Sequence, residues 1–393
     1  MHKRRISSGI AVLVVAGALT PLQAHAVTTT SKVSAQAAST GSGFTPLSPV
    51  RILDTRKGIG APAAKVAAFG TVSLKVAGTA GVPSGVTAIA VNITVVNPTQ
   101  GGYITAYPGG QTKPGVSNLN FKPGQTIPNT AIVQVGSNGY VNFANGSGGT
   151  IDLLADLAGY YSTASPDLYW AQYPSRLLDT RGGNGTLPAN GVVKVQVELA
   201  TAANLNITVT NPQQGGYITA YPDGGSRPTA SNVNFSAGQT VANGATVQVG
   251  ADGYVDFVNG SGGSVDLIVD FSGSFVAATD TADAPAHYFP ITPTRVMDSR
   301  AGKPFAPGGA ATFYQAGYHA VVANFTVTNP TAGGVLEVYP ADEEVNPGTS
   351  LLNFAPNQTV ANAGTFTSGP GIDIVNMSAG STNVIMDVFG YYA

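Results

Sequence analysis

Apolar positions along this chain come in short runs of β-branched and aromatic side chains, broken at near-regular intervals by Gly, Pro and Asn. That is the pattern of short strands joined by turns. In the first third of the chain, runs at Gly70 to Val76, Val86 to Val96, Gly102 to Tyr107, Ser117 to Phe121, Ala131 to Val135, Tyr140 to Asn145 and Ile151 to Tyr161 all suit strands. No segment offers the 3.6-residue period of an amphipathic helix. The string from Asn92 to Pro108 reads as two runs joined by a Pro- and Gly-containing turn, and so predicts a β-hairpin. Ser137-Asn138-Gly139 and Ala251-Asp252-Gly253 likewise predict tight hairpin turns, because Asn-Gly and Asp-Gly tolerate positive φ.

The Asn92 string returns at Asn206 to Pro222 and, more altered, at Asn324 to Pro340. A second string, Arg51-Ile52-Leu53-Asp54-Thr55-Arg56, returns from Arg176 to Arg181 and from Arg295 to Arg300. Repeats this far apart exceed a propeller blade or a solenoid rung, so each is expected to be a domain in its own right. The predicted fold class is all-β: three tandem homologous antiparallel β-sandwiches, jelly-roll or immunoglobulin-like. Their expected bounds are 44–162, 169–276 and 288–393. Short linkers, Ser162 to Asp167 and Ala277 to His287, would join them as beads rather than blades, the first linker tight enough for modules one and two to touch and the second longer and more acidic.

The opening of the chain changes the expected compartment. Lys3-Arg4-Arg5, an apolar run from Ile10 to Leu22 and Ala24-His25-Ala26 form the three zones of a secretory signal peptide, expected over 1–26. A flexible Thr/Ser/Ala leader over 27–43 would follow. No long apolar segment comes later, so the expectation is a secreted, extracellular protein without membrane insertion. Cleavage would remove three of the 18 Lys+Arg and none of the 20 Asp+Glu, moving the formal charge from −2 to −5. An acidic chain without basic clusters argues against nucleic acid as a partner. Cysteine is absent, which excludes disulfides, thiol nucleophiles and thiolate metal sites.

Candidate chemistry is sparse. Beyond the signal segment only His287 and His319 remain, and neither recurs between repeats, so no repeated Ser-His-Asp triad or His metal site is possible. The recurring charges are Arg51, Asp54, Arg56 and Asp156; Arg176, Asp179, Arg181 and Asp270; and Arg295, Asp298, Arg300 and Asp387. Two Arg beside two Asp would hold the acids ionised, which suits a structural ion-pair network tying the first strand of each module to its last. A carboxylate-dependent glycan hydrolase working through Asp54 and Asp156 is the catalytic alternative. Asp152 with Asp156 could supply oxygen ligands to calcium, but residues i and i+4 of a strand lie roughly 13 Å apart, so no metal and no cofactor are expected.

The recurring polar set is Tyr103, Tyr107, Asn118, Asn120, Gln125 and Asn129, matched by Tyr217, Tyr221, Asn232, Asn234, Gln239 and Asn243. Aromatic faces with planar amides suit sugars, whose rings offer apolar C–H faces and many hydroxyls. The competing explanation is that Asn and Gln beside Gly and Pro close turns on their own backbone. Asn-x-Ser/Thr tripeptides at Asn92, Asn145, Asn206, Asn259, Asn324 and Asn376 match glycosylation acceptors but fall in predicted strands, and are read as structural.

Taken together, the Leu-Asp-Thr-Arg-like opening, Asn-x-Thr-Val-x-Asn-Pro, Ser-Asn-x-Asn-Phe and a closing Asp-Leu-x-x-Asp-x-x-Gly-Tyr-Tyr resemble a repeat module of secreted actinobacterial proteins. In that family the module occurs in arrays or appended to secreted hydrolases, and the resemblance carries over no catalytic residue. Module three departs most from the pattern, with Leu351 for Asn118 and Asn383 for Asp152. The expected function is non-catalytic binding or scaffolding at the cell surface on cell-wall or environmental polysaccharide. The alternative is an assembly subunit docking a secreted protein or itself.

Overall fold

The computed structural model describes residues 40–182, 185–197, 200–278, 285–315, 317–342 and 346–393. The segments expected to be a signal peptide and most of a flexible leader, together with most of the second linker, lie outside them. Strands of the first module are β1 (Gly43–Asp54), β2 (Thr71–Lys75), β3 (Val86–Val96), β4 (Gly102–Pro108), β5 (Leu119–Phe121), β6 (Ile127–Gln134), β7 (Tyr140–Asn145) and β8 (Asp152–Ser162). The second has β9 (Asp167–Asp179), β10 (Val192–Gln196), β11 (Ala202–Thr210), β12 (Gly216–Pro222), β13 (Val233–Phe235), β14 (Val241–Gln248), β15 (Tyr254–Asn259) and β16 (Asp266–Ala277). The third has β17 (Tyr288–Asp298), β18 (Ala310–Tyr314), β19 (Ala320–Thr328), β20 (Gly334–Pro340), β21 (Leu352–Phe354), β22 (Val360–Thr367), β23 (Gly371–Ser378) and β24 (Asn383–Tyr392).

Within module one the sheets run β1-β8-β3-β6 and β2-β7-β4-β5, and both later modules repeat that order. Two four-stranded antiparallel sheets with this winding make a jelly roll, so the fold is an all-β sandwich of that kind. Alternation explains the layers. On β3, Ile93 and Val95 are fully buried, and Ile104 and Ala106 of β4 face them from the opposite sheet.

That arrangement corrects the hairpin expected from Asn92 to Pro108. β3 pairs with β8 and β6, whereas β4 pairs with β5 and β7, so the two runs cross from one sheet to the other. Asn97 makes the corner with φ 47°, a conformation Asn tolerates better than most residues, and Pro98 supplies no N–H for continued pairing. Gly139 and Gly253 do take positive φ, 78° and 83°, but their turns also cross between sheets and close no hairpin.

The modules are not beads. Beside the three sandwich cores there is a fourth, built from all three modules around a pseudo-threefold axis. Phe44 of module one packs on Phe275 of module two at 4.2 Å between centroids, Tyr169 of module two on Tyr392 of module three at 4.3 Å, and Tyr288 of module three on Tyr161 of module one at 4.6 Å. Their lead-in segments bridge each other as well, Ser42 to Tyr288, Phe44 to Asp167 and Tyr169 to Ala286. Six buried rings shared between modules cannot be reached by water, whereas each would be exposed on a separated domain. Their burial therefore drives ring closure.

Farther along the axis β6, β14 and β22 converge. Asn243 Nδ2 donates to Asn92 Oδ1, Asn362 Nδ2 to Asn206 Oδ1 and Asn129 Nδ2 to Asn324 Oδ1, each at 2.9 Å. The Oδ1 atoms of the same three residues accept from the backbone N–H of Thr130, Gly244 and Ala363 of a neighbouring module. Gly244 occupies the tightest point, where a Cβ would meet the Ala363 carbonyl oxygen and the Thr130 methyl. Overpacking at backbone typically costs about 1–3 kcal/mol. Gly244→Ala is expected to lower stability by about that amount in guanidinium titration, and an unchanged midpoint would show that the axis is loosely packed.

Candidate functional site

β1 and β8 pair with Arg51 directly opposite Asp156, so the cation and the acid meet across the ladder. The Arg51 fork grips both Asp156 oxygens, with Nη2 to Oδ2 at 3.0 Å, and its Nη1 reaches Asp54 Oδ2 at 3.1 Å. Arg56 holds Asp54 from the other side at 2.9 and 2.8 Å and adds its backbone N–H. Module two repeats this with Arg176, Asp179, Arg181 and Asp270, and module three with Arg295, Asp298, Arg300 and Asp387. In module one neither carboxylate has a free face, since Asp54 is 0% and Asp156 2% exposed.

The network also reaches between modules. Asp387 Oδ2 accepts the backbone N–H of Ser117 in module one, while Ser231 and Ser350 offer theirs to Asp156 and Asp270. Asn92, Asn206 and Asn324 donate to the carbonyls of the same three serines, at 2.6, 2.5 and 2.8 Å. Each of these serines, which open Ser-Asn-x-Asn-Phe in modules one and two and Ser-Leu-Leu-Asn-Phe in module three, is thus gripped at both backbone groups by the preceding module. The repeated motifs are largely the contacts that close the ring.

Hydrogen bonds from Arg56 and Arg181 hold the Asp54 and Asp179 carboxyls down to about 2, and Arg300 lowers Asp298 in the same way. Burial pushes Asp156 and Asp270 the other way, opposed by Arg51 and Arg176. A carboxylate with a lowered folded pKa contributes stability above its unfolded value near 4, and that stability is lost as pH falls toward 2. The unfolding midpoint is therefore expected to drop between about pH 4 and 2. An Arg56→Gln/Arg181→Gln variant should start lower and drop less over that window; parallel curves would refute the assignment.

Most of the sequence-selected polar set is consumed internally. Asn118 and Asn232 accept from the Ala106 and Ala220 N–H groups at 2.7 Å, closing the edge of β4 and β12. Gln125 and Gln239 close turns on the N–H groups of Lys122 and Ser236, and Asn120 and Asn234 accept from nearby serine hydroxyls. Asn129 and Asn243 are buried on the axis, where no ligand reaches them. Tyr107 and Tyr221 are buried on the outer sheet; burial and then Asp256 push the Tyr221 phenol up. Of the six sequon asparagines five are buried and Asn206 is half-buried.

Tyr103 and Tyr217 differ, being half-buried on the outer sheet. Each ring lies flat over the backbone of Gly146 or Gly260, where a Cβ would collide with it. Lys113 Nζ stands 5.3 Å from the Tyr103 centroid, and the Arg227 guanidinium 5.8 Å from that of Tyr217, with Nη2 on its hydroxyl at 3.2 Å. Gln100 and Gln214 reach the same glycine loops, 146–149 and 260–263, at Gly148 and Gly262. Module three changes these positions together. Val335 pairs across the strands with Met377 where a tyrosine lies over glycine, Ala332 replaces the glutamine, and Asn346 replaces the cation and bonds Glu337.

Sequence reasoning selected the tyrosines but missed Gln100, Lys113, Gln214 and Arg227. Their signal was their joint loss in module three. Among the described residues no cluster of His, Asp and Glu could hold a metal ion, and no helix is long and apolar enough to cross a membrane.

Fold and site define a protein of antiparallel β-sandwiches. No protein-family model and no curated protein matches the chain. Among solved structures, one described as "Life in the extremes: atomic structure of Sulfolobus Turreted Icosahedral Virus" is similar over 83% of this chain and 84% of that one, at 10% identity and TM-score 0.18. A superposition that loose carries no argument.

Proposed function

We propose that the chain is a secreted, non-catalytic binding head that attaches to cell-wall or environmental polysaccharide through the glycine loops of modules one and two. The observation that carries this reading is the recurrence of one constellation, Tyr103, Gln100 and Lys113 in module one and Tyr217, Gln214 and Arg227 in module two, on the outer side of each sandwich. Aromatic carbon, an amide and a cation around one surface loop match the apolar faces and hydroxyls of a sugar polymer. The cations lie over half-buried rings near the surface, where such a contact contributes only about 0.5–1 kcal/mol, so a ligand can displace them and be bonded by them. Two sites on one rigid ring engage a polymer with a fixed spacing, and the second contact forms at an effective concentration near millimolar.

The test is retention of the full chain on insoluble cell wall, chitin and cellulose. Retention on one of them, lost in a Tyr103→Ala/Tyr217→Ala variant that melts as the parent does, is expected. No retention on any polymer, with a secreted protein co-purifying instead, would replace the reading with protein docking.

A further inference from the structure

The Gly146–Gly149 loop has a second aromatic neighbour. Phe69 stands beside Gly148, with its Cζ 3.9 Å from where a Cβ on that glycine would sit, and Gln100 Oε1 is 2.7 Å from the same point. Phe69 is 74% exposed, the most exposed of the large apolar side chains among the described residues. It also has φ 55°, the left-handed region that a bulky residue rarely adopts.

The same turn occurs in every module. Its fourth residue donates to its first, Gly70 to Ala67, Gly191 to Pro188 and Gly309 to Ala306, at 2.9–3.0 Å. Third positions are Phe69, Asn190 at φ 55° and Gly308 at φ 66°. Asn and Gly are the residues such a position favours, because Asn bonds locally and Gly lacks the Cβ that clashes. Phenylalanine gains neither advantage. It accepts backbone strain and leaves its ring in water, so nothing in the folding of this chain accounts for it. Strained backbone that the fold does not require is a mark of function.

The geometry points to Phe69 as the stacking platform of a pyranose subsite in module one, with Gln100 as its hydrogen-bonding partner. This rests on the polysaccharide reading above and assigns the stronger site to module one. Tyr103 is packed against Gly146 on one face, whereas Phe69 offers an open ring. Gly146 and Gly148 are two residues apart on one loop, so their Cα atoms lie within roughly 7 Å and the two rings can serve one polymer chain. Module two keeps the tyrosine and glutamine but has Asn190, and module three has Gly308 and none of the rest.

The experiment measures depletion isotherms of the full chain on whichever of chitin, cellulose or cell wall retains it, with melting temperature alongside. Phe69→Asn is expected to bind about three- to tenfold more weakly, the range for an aromatic contact, while melting at or above the parent temperature because the strain is relieved. Asn190→Phe is expected to do the reverse, tightening binding by a similar factor at some loss of thermal stability. Should Phe69→Asn bind as the parent does while Tyr103→Ala/Tyr217→Ala loses binding, the Phe69 subsite is overturned and the polysaccharide reading stands. A Phe69→Asn variant that melts well below the parent would show the ring to be structural, and also overturns the subsite. Absence of retention by the parent chain on every polymer overturns both.

Discussion

Phe325→Ala, a truncation deep in module three, is expected to shift the unfolding of Trp170 in module two. Phe325 is fully buried in the third sandwich core, edge-on to Phe366 at 5.1 Å, and removing such a ring costs about 3–5 kcal/mol. The chain has a single tryptophan, and it lies on β9 next to Tyr169, so its fluorescence reports module two alone. If the modules were independent, module three would melt early and Trp170 would not notice. In the ring, losing module three strips Tyr392 from Tyr169 and Tyr288 from Tyr161, and opens the bridge from Tyr169 to Ala286. Module two cannot keep its share of the axial core after that. Fluorescence and far-ultraviolet circular dichroism should therefore give one coincident transition, displaced by about 3–5 kcal/mol in the variant. A Trp170 transition at the parent midpoint, with only part of the dichroism lost early, would sink the shared-core account.

Why the ring was not legible follows from the same residues. Alternation marks which side chains of a strand are buried, not what buries them. Ile93 and Ile104 alternate as they would in a hairpin, and only the partners of β3 and β4 show that they face each other across a core. Asn92, on the face of β3 turned away from the sandwich core, reads from the sequence only as a structural strand residue in a sequon; what it is structural for does not show, because its partner Asn243 is 151 positions away. Tyr161, Phe275 and Tyr392 close the three repeats and suit strands that dock on their own module, yet their rings fill a space that exists only when three modules meet. The Arg and Asp residues were easier, because both partners of each ion pair repeat within every module. Candidate ligand residues divided by exposure, which one sequence does not report: Asn118 and Gln125 turned inward to the backbone, while Phe69, which the sequence did not single out, stayed outside.

Arg51→Ala should be the most damaging single change at the module boundary. Arg51 is the side-chain cation on Asp156, whose carboxylate is 2% exposed and lies under the Ser231 segment of the next module. Truncation strands a buried charge, which typically costs about 3–5 kcal/mol, whereas the guanidinium–carboxylate pair as a whole contributes little net stability, because both ions were taken out of water. A double variant, Arg51→Met/Asp156→Leu, is therefore expected to recover much of the loss. Recovery should stop short by about 1–3 kcal/mol, since the Ser231 N–H that Asp156 accepts would then be buried without a partner. Denaturant titrations of the two single variants and the double variant complete the cycle. If the double variant were as unstable as Arg51→Ala, the damage would lie in lost packing of the arginine stem rather than in the stranded carboxylate. If Asp156→Asn were fully stable, the carboxylate would be free for chemistry after all, and the structural reading of the Arg–Asp network would fall with it.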